Sequence, residues 1–195
     1  MRMVKDEKGF SLVELIIVMG IMAIAATMIM ASMGYINRGK TEKAASTLDS
    51  KLSYIQTETL TKAGTTYLYL YPKSDGIYYF IKRAETGGNT ADGDGTGFAS
   101  YTELNTYLTS KSIDGTRLCG SQVKASGKGG SGVTDINLAA GGSDMLKIGY
   151  KKSTGAFECC NNGSGSFRTS IVLTGKETFT VKLVEKTGKH KVSAS

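Results

Sequence analysis

Hydrophobic and polar positions follow three patterns along the chain. From Leu15 to Met33 every side chain is apolar except Thr27 and Ser32, with no period separating a wet face from a dry one. Such a run predicts a helix that is hydrophobic on all sides, long enough to cross a bilayer core of about 30 Å. Past Gly34 the pattern becomes periodic. Ala45, Leu48, Leu52 and Ile55 recur at helical spacing with charged residues between them, which predicts an amphipathic continuation of the same helix. A continuous helix from Phe10 to the stop near Gly64 would be about 80 Å long, at about 1.5 Å per residue. Its second half would offer an apolar stripe for a sheet to cover.

Beyond Gly64 the period falls to two. "TTYLYLY", Thr65 to Tyr71, and "IYYFIKR", Ile77 to Arg83, are rich in aromatic and β-branched residues and flank the turn signal "PKSDG", which predicts a hairpin. Tyr67, Tyr69 and Tyr71 fall on one strand face and Leu68 and Leu70 on the other. This reads as sheet packing rather than a stacking platform for bases. A second β-rich region runs through "MLKIGYKK", "AFECC", "RTSIVL" and "ETFTVKLVEKTGKHKVS". Between the two lie a Gly-rich loop and a short helix, "SYTELNTYLTSK", opened by a Ser100 to Glu103 capping box. The expected fold class is α+β: a long N-terminal spine helix with a membrane-spanning first half, and an antiparallel β-sheet wrapped on its C-terminal half.

One residue interrupts the apolar run. Glu14 stands just before Leu15, and a carboxylate near a bilayer centre costs roughly 2.5–3.5 kcal/mol on insertion scales, so it calls for a partner. A secretory signal peptide also begins with charge and continues apolar, but this run is longer than a usual signal core. The earlier cut lies after "MRMVKDEKG", which is charged and ends in Gly9, with "GFSLVEL" opening the helix directly.

Gly9, Phe10, Ser11, Leu12, Val13 and Glu14 together resemble the signature of the type IV pilin and pseudopilin superfamily: a short charged leader ending in Gly, then Phe, a small polar residue, apolar residues and Glu. The resemblance covers roughly Lys8 to Gly34. It implies cleavage between Gly9 and Phe10 and N-methylation of Phe10 by a prepilin peptidase/methyltransferase. It also implies assembly with other pilin subunits, as a homo- or hetero-polymer, in which Glu14 pairs with the Phe10 amine of a neighbour. One difference stands out: many pilins carry a helix-breaking proline inside the span, and none occurs between Phe10 and Gly34. The domain plan expected is a leader, 1–9; a transmembrane and assembly helix, 10–34; its amphipathic continuation, 35–64; and a β-rich head, 65–195. Such a chain is a single-pass membrane protein before assembly and part of an extracellular filament or cell surface afterwards. The alternative is an anchored extracellular binding module or adhesin that does not polymerise.

Composition adds a partner class. With 24 Lys and Arg against 17 Asp and Glu, the formal charge is +7, which favours an acidic ligand such as DNA or an anionic polysaccharide. Catalytic chemistry has little to draw on. The one histidine, His190, sits between Lys189 and Lys191 and reads as solvated, so no enzyme and no cofactor is expected. Zinc is not expected either, since Cys119, Cys159 and Cys160 form no CxxC pair and one histidine leaves a four-ligand set incomplete. Outside the cytoplasm a bridge from Cys119 to Cys159 or Cys160 is the expected use of the cysteines, worth roughly 2–4 kcal/mol; three reduced thiols are the alternative. Vicinal cysteines point to opposite strand faces, so at most one can face Cys119.

"DGDGTGFASYTE", Asp92 to Glu103, follows an EF-hand-type calcium loop at all but one fixed position. Asp92, Asp94, Thr96, Phe98 and Glu103 are its candidate ligands, with Thr96 where Asp or Asn is usual and Phe98 contributing through its backbone. A solvated Gly-rich turn, with Glu103 capping the short helix, is the other reading of the same residues.

Overall fold

A computed structural model describes residues 11–84, 97–163 and 165–195 of the chain, with side chains left out over 29–38. The chain divides into two compact units, Met1–Asn37 and Arg38–Ser195. Helix α1, Leu12–Thr61, begins in the first and ends in the second.

From Leu15 to Met28 α1 is apolar on every side, Thr27 excepted. Leu12 is 76% exposed and Met28 69%, and the aliphatic residues between them are exposed as well. Thr27, the polar side chain among them, returns its hydroxyl to the carbonyl of Ile24 at 2.7 Å, so the helix presents no unpaired hydroxyl there. Among the described residues no helix is long and apolar enough to cross a membrane. The apolar run continues in the sequence to Met33, past Met28, the last side chain described in that stretch.

In the second unit α1 becomes amphipathic, and its stripe is dry: Ala44, Ala45, Leu48, Leu52 and Ile55 are buried. Gly64, at φ +84°, takes the left-handed conformation just past the helix end and turns the chain into the first strand. Among the described residues ten strands follow, in two antiparallel sheets of five.

Sheet A contains β1 (Thr65–Lys73), β2 (Gly76–Ala84), β3 (Thr116–Gly120), β6 (Leu146–Tyr150) and β7 (Phe157–Asn161) in the order β3-β2-β1-β6-β7. Sheet B contains β4 (Lys124–Gly129), β5 (Ile136–Leu138), β8 (Arg168–Thr174), β9 (Thr178–Val184) and β10 (Lys189–Ala194) in the order β10-β9-β8-β4-β5. The expected single sheet is therefore two. Alternation along a strand tells which residues share a face, but not which strands share a sheet, and the chain changes sheet after β3, β5 and β7.

The main core joins α1 to both sheets. Leu68, Leu70, Ile77 and Ile148 from sheet A meet Ile171, Leu173, Val181 and Leu183 from sheet B around Leu48 and Leu52. The expected hairpin forms, with Thr65 opposite Ala84 and Lys73 opposite Gly76. Its β1 is central in sheet A and buried on both faces. Tyr67, Tyr69 and Tyr71 lie on the side away from α1, where Phe98, Met145 and Leu104 and Leu108 of α2 (Tyr101–Ser110) cover them. The tyrosine row is a second core, closed to bases.

Candidate functional site

Of the residues that carry the sequence signature, Leu12, Val13 and Glu14 lie at the start of α1. Gly9 and Phe10 fall outside the described residues. Glu14 is described: it is exposed and occupies the first turn of the helix, and the N–H of Leu15 donates to the carbonyl of Ser11 at 3.1 Å. A carboxylate in a first turn interacts favourably with the unpaired N–H groups there. The helix beyond it carries only apolar or small side chains as far as Met28, Thr27 excepted. A helix of this kind has no wet face, so it is stable only when other apolar matter surrounds it. Among the described residues the chemistry at this end is one anionic side chain at the edge of an apolar stretch, suited to a cation held in low dielectric.

The candidate calcium loop lies only partly within the described residues. Asp92, Asp94 and Thr96 lie outside the described residues. The Glu103 N–H donates to the N-cap Ser100 Oγ at 3.2 Å, the first half of the capping box expected from sequence, while the Glu103 carboxylate reaches one residue further back and accepts from the Ala99 N–H at 2.8 Å rather than from Ser100. Phe98 is buried, and its N–H donates to the Tyr69 hydroxyl at 3.0 Å. Among the described residues no cluster of His, Cys, Asp or Glu has the makings of a metal site.

The cysteines are free thiols. Cys119 is on β3 and Cys159 and Cys160 are on β7, the two outer strands of sheet A. Four strand intervals separate them, about 19 Å at the usual spacing of about 4.8 Å, against the roughly 4.4–6.8 Å between Cα atoms that a disulfide needs. The expected bridge is corrected on this geometry. The two vicinal thiols do face opposite ways: Cys160 joins the main core and Cys159 packs against the tyrosine side. Burial pushes the Cys119 thiol up to about 11 and Cys159 up to about 12, so neither is a ready nucleophile.

His190 is a second correction. Its side chain is 9% exposed, turned inward from β10. Nε2 lies 3.1 Å from Ser53 Oγ and 3.6 Å from Asp49 Oδ1, both on α1, and Nδ1 lies 3.4 Å from the Tyr150 hydroxyl. Flanking lysines suggest solvent, yet in a strand a residue between two outward ones points inward; that alternation is the signal to follow. A nucleophile-to-carboxylate relay needs the serine and the acid on opposite ring nitrogens. Here both meet Nε2, so the cluster ties β10 to α1 and sets up no relay.

Residues 4–30 match the prokaryotic N-terminal methylation motif. No curated protein and no solved structure matches the chain.

Proposed function

With that methylation motif as premise, we propose that the chain is a structural subunit of a type IV pilus or related pseudopilus, cut between Gly9 and Phe10, N-methylated at Phe10 and polymerised through α1. The observation that carries this reading is the motif match over residues 4–30, which supports a type IV pilin or pseudopilin subunit in general. The finer steps rest on physical argument. Cleavage after Gly9 creates an ammonium at Phe10. In the apolar surroundings of a membrane or filament core, that ammonium and Glu14 of a neighbouring subunit are each costly alone and much less so as a charge-assisted pair.

Before assembly the apolar part of α1 anchors the subunit in the cell membrane, with the β-rich unit outside. In the filament the same helix is covered by its counterparts in other subunits, which removes its exposed apolar surface from water and lipid alike. The prepilin peptidase/methyltransferase and sibling subunits are the partners this requires. Catalysis plays no part in the reading.

Glu14→Ala separates assembly from processing. Cleavage and methylation depend on the leader and Gly9, so the variant is still cut and methylated. Incorporation depends on the pair. Losing a charged hydrogen bond worth roughly 1.5–3 kcal/mol lowers recovery in sheared filaments, beside wild type in the membrane fraction, by about tenfold or more. Normal recovery in filaments would contradict the assembly role.

A further inference from the structure

Sheet B has a dry face and a wet one, and the wet face carries charge in an unusual arrangement. Along β9 the side chains of Val181 and Leu183 are buried and that of Lys182 is exposed; along β10 Lys189 and Lys191 are exposed on either side of His190. Register places Lys191 directly opposite Lys182, Lys182 opposite Ser170 on β8, and Ser170 opposite Lys128 on β4. Lys128 is held by Asp135 at 3.0 Å. Among the described residues Lys182 and Lys191 have no carboxylate partner within salt-bridge distance.

Like charges directly opposite one another weaken a sheet, and these two stand about 5 Å apart on neighbouring strands. A lysine on an edge strand has a general use, since it deters pairing with a stranger's edge. That accounts for Lys189 and Lys191 on β10. It does not account for Lys182, because β9 is paired on both sides. The next row of the same face reads Ser193, Thr180, Val172, Ser126 and Asn137. Lysine, serine, threonine and asparagine are among the side chains that bind phosphate oxygens on duplex nucleic acid. No outward side chain of these strands is aromatic, so the face has nothing on which unpaired bases would stack. A five-stranded sheet face also has no ridge to enter a groove and read sequence.

We propose that the outer face of sheet B docks the phosphodiester backbone of duplex DNA, without sequence preference, through Lys182 and Lys191 with the hydroxyls of Ser170 and Thr180 beside them. The surface belongs wholly to the second unit, so the inference goes beyond pilus assembly and does not depend on how residues 1–14 are processed.

The test is fluorescence anisotropy of a labelled duplex two helical turns long, titrated with full-length protein in nonionic detergent at several salt concentrations. Wild type is expected to bind in the non-specific range, about 10⁻⁴–10⁻⁶ M near physiological salt, and more tightly as salt is lowered. K182E/K191E should weaken binding about tenfold or more and flatten the log–log salt slope by about two, one for each phosphate that is no longer neutralised. K182Q/K191Q, which removes charge without reversing it, should weaken binding less but flatten the slope equally. K151E/K152E makes the same change in net charge on the exposed β6–β7 turn and should leave affinity within about twofold. The proposal is overturned by wild type that fails to bind at low salt. An equal loss in K151E/K152E, or a slope unchanged by K182Q/K191Q, overturns it too. Tighter binding to a sulfated polysaccharide at the same Lys182 and Lys191 would reassign the face to an anionic glycan and overturn the DNA assignment.

Discussion

The cysteines connect sequence, burial and stability at the scale of single residues. The thiols of Cys119 and Cys159 are raised by burial from an ordinary 9.0 to about 11 and about 12, and burial moves the Cys160 thiol the same way. Because each folded-state value lies above its unfolded one, the unfolded chain releases these protons first as pH rises. Their contribution is therefore complete below pH 9.0 and is lost as pH climbs through about 11 and about 12. Buried Tyr67 and Tyr69, raised by desolvation from 10.0, add in the same direction. Thermal unfolding of the protein should show a midpoint that falls steadily across that alkaline window. Labelling of unfolded, non-reduced protein should find all three thiols. A flat midpoint or a single free thiol would contradict free, buried cysteines. Much at this scale is legible in the sequence: the opposed facing of Cys159 and Cys160, the Ser100 to Glu103 box and the two-faced tyrosine strand all follow from a fixed local period. The pairing of Cys119 is not, because it depends on strand order across sheet A, and no local period encodes that order.

Elements divide along a similar line. The stripe of α1, the β1–β2 hairpin, α2 and the strands from β6 to β10 each announce themselves by period and turn chemistry. Strands β3, β4 and β5 do not: "TRLCG", "KASGKG" and "INL" are short or rich in Gly, Lys and Ser, residues with weak strand preference. They become strands through their neighbours. β4 is held between β8 and β5, and a side chain at Gly127 would meet Leu146 at 3.0 Å, so a poor strand former is what the tight approach requires. The stripe of α1 is where an element's packing can be measured. Leu52 is fully buried between the sheets, whereas Leu60 on the same helix is 47% exposed. Leu52→Ala should cost about 2–5 kcal/mol in denaturant unfolding, and Leu60→Ala about 1 kcal/mol or less. Equal losses would mean that the stripe does not anchor the sheets.

At the scale of the whole molecule the chain pairs two kinds of surface. Among the described residues the second unit buries most of its large apolar side chains in two cores, leaving a few such as Leu60 and Val184 half exposed, and its exterior is otherwise polar and basic. The described start of α1 leaves its apolar side chains open on every side, which is unfavourable in water. That contrast follows from the hydropathy pattern alone. What the pattern does not encode is the division of the β-rich unit into two sheets, on which the lysine row of sheet B depends.

The central claim is that the N-terminus is made to be cut and methylated. Intact mass of protein extracted from membranes tests it most directly. The account predicts a chain beginning at Phe10, lighter than the full sequence by residues 1–9 and heavier by one methyl group. A full-length mass, or a cut elsewhere with no methyl group, would contradict it and favour an anchored binding module instead.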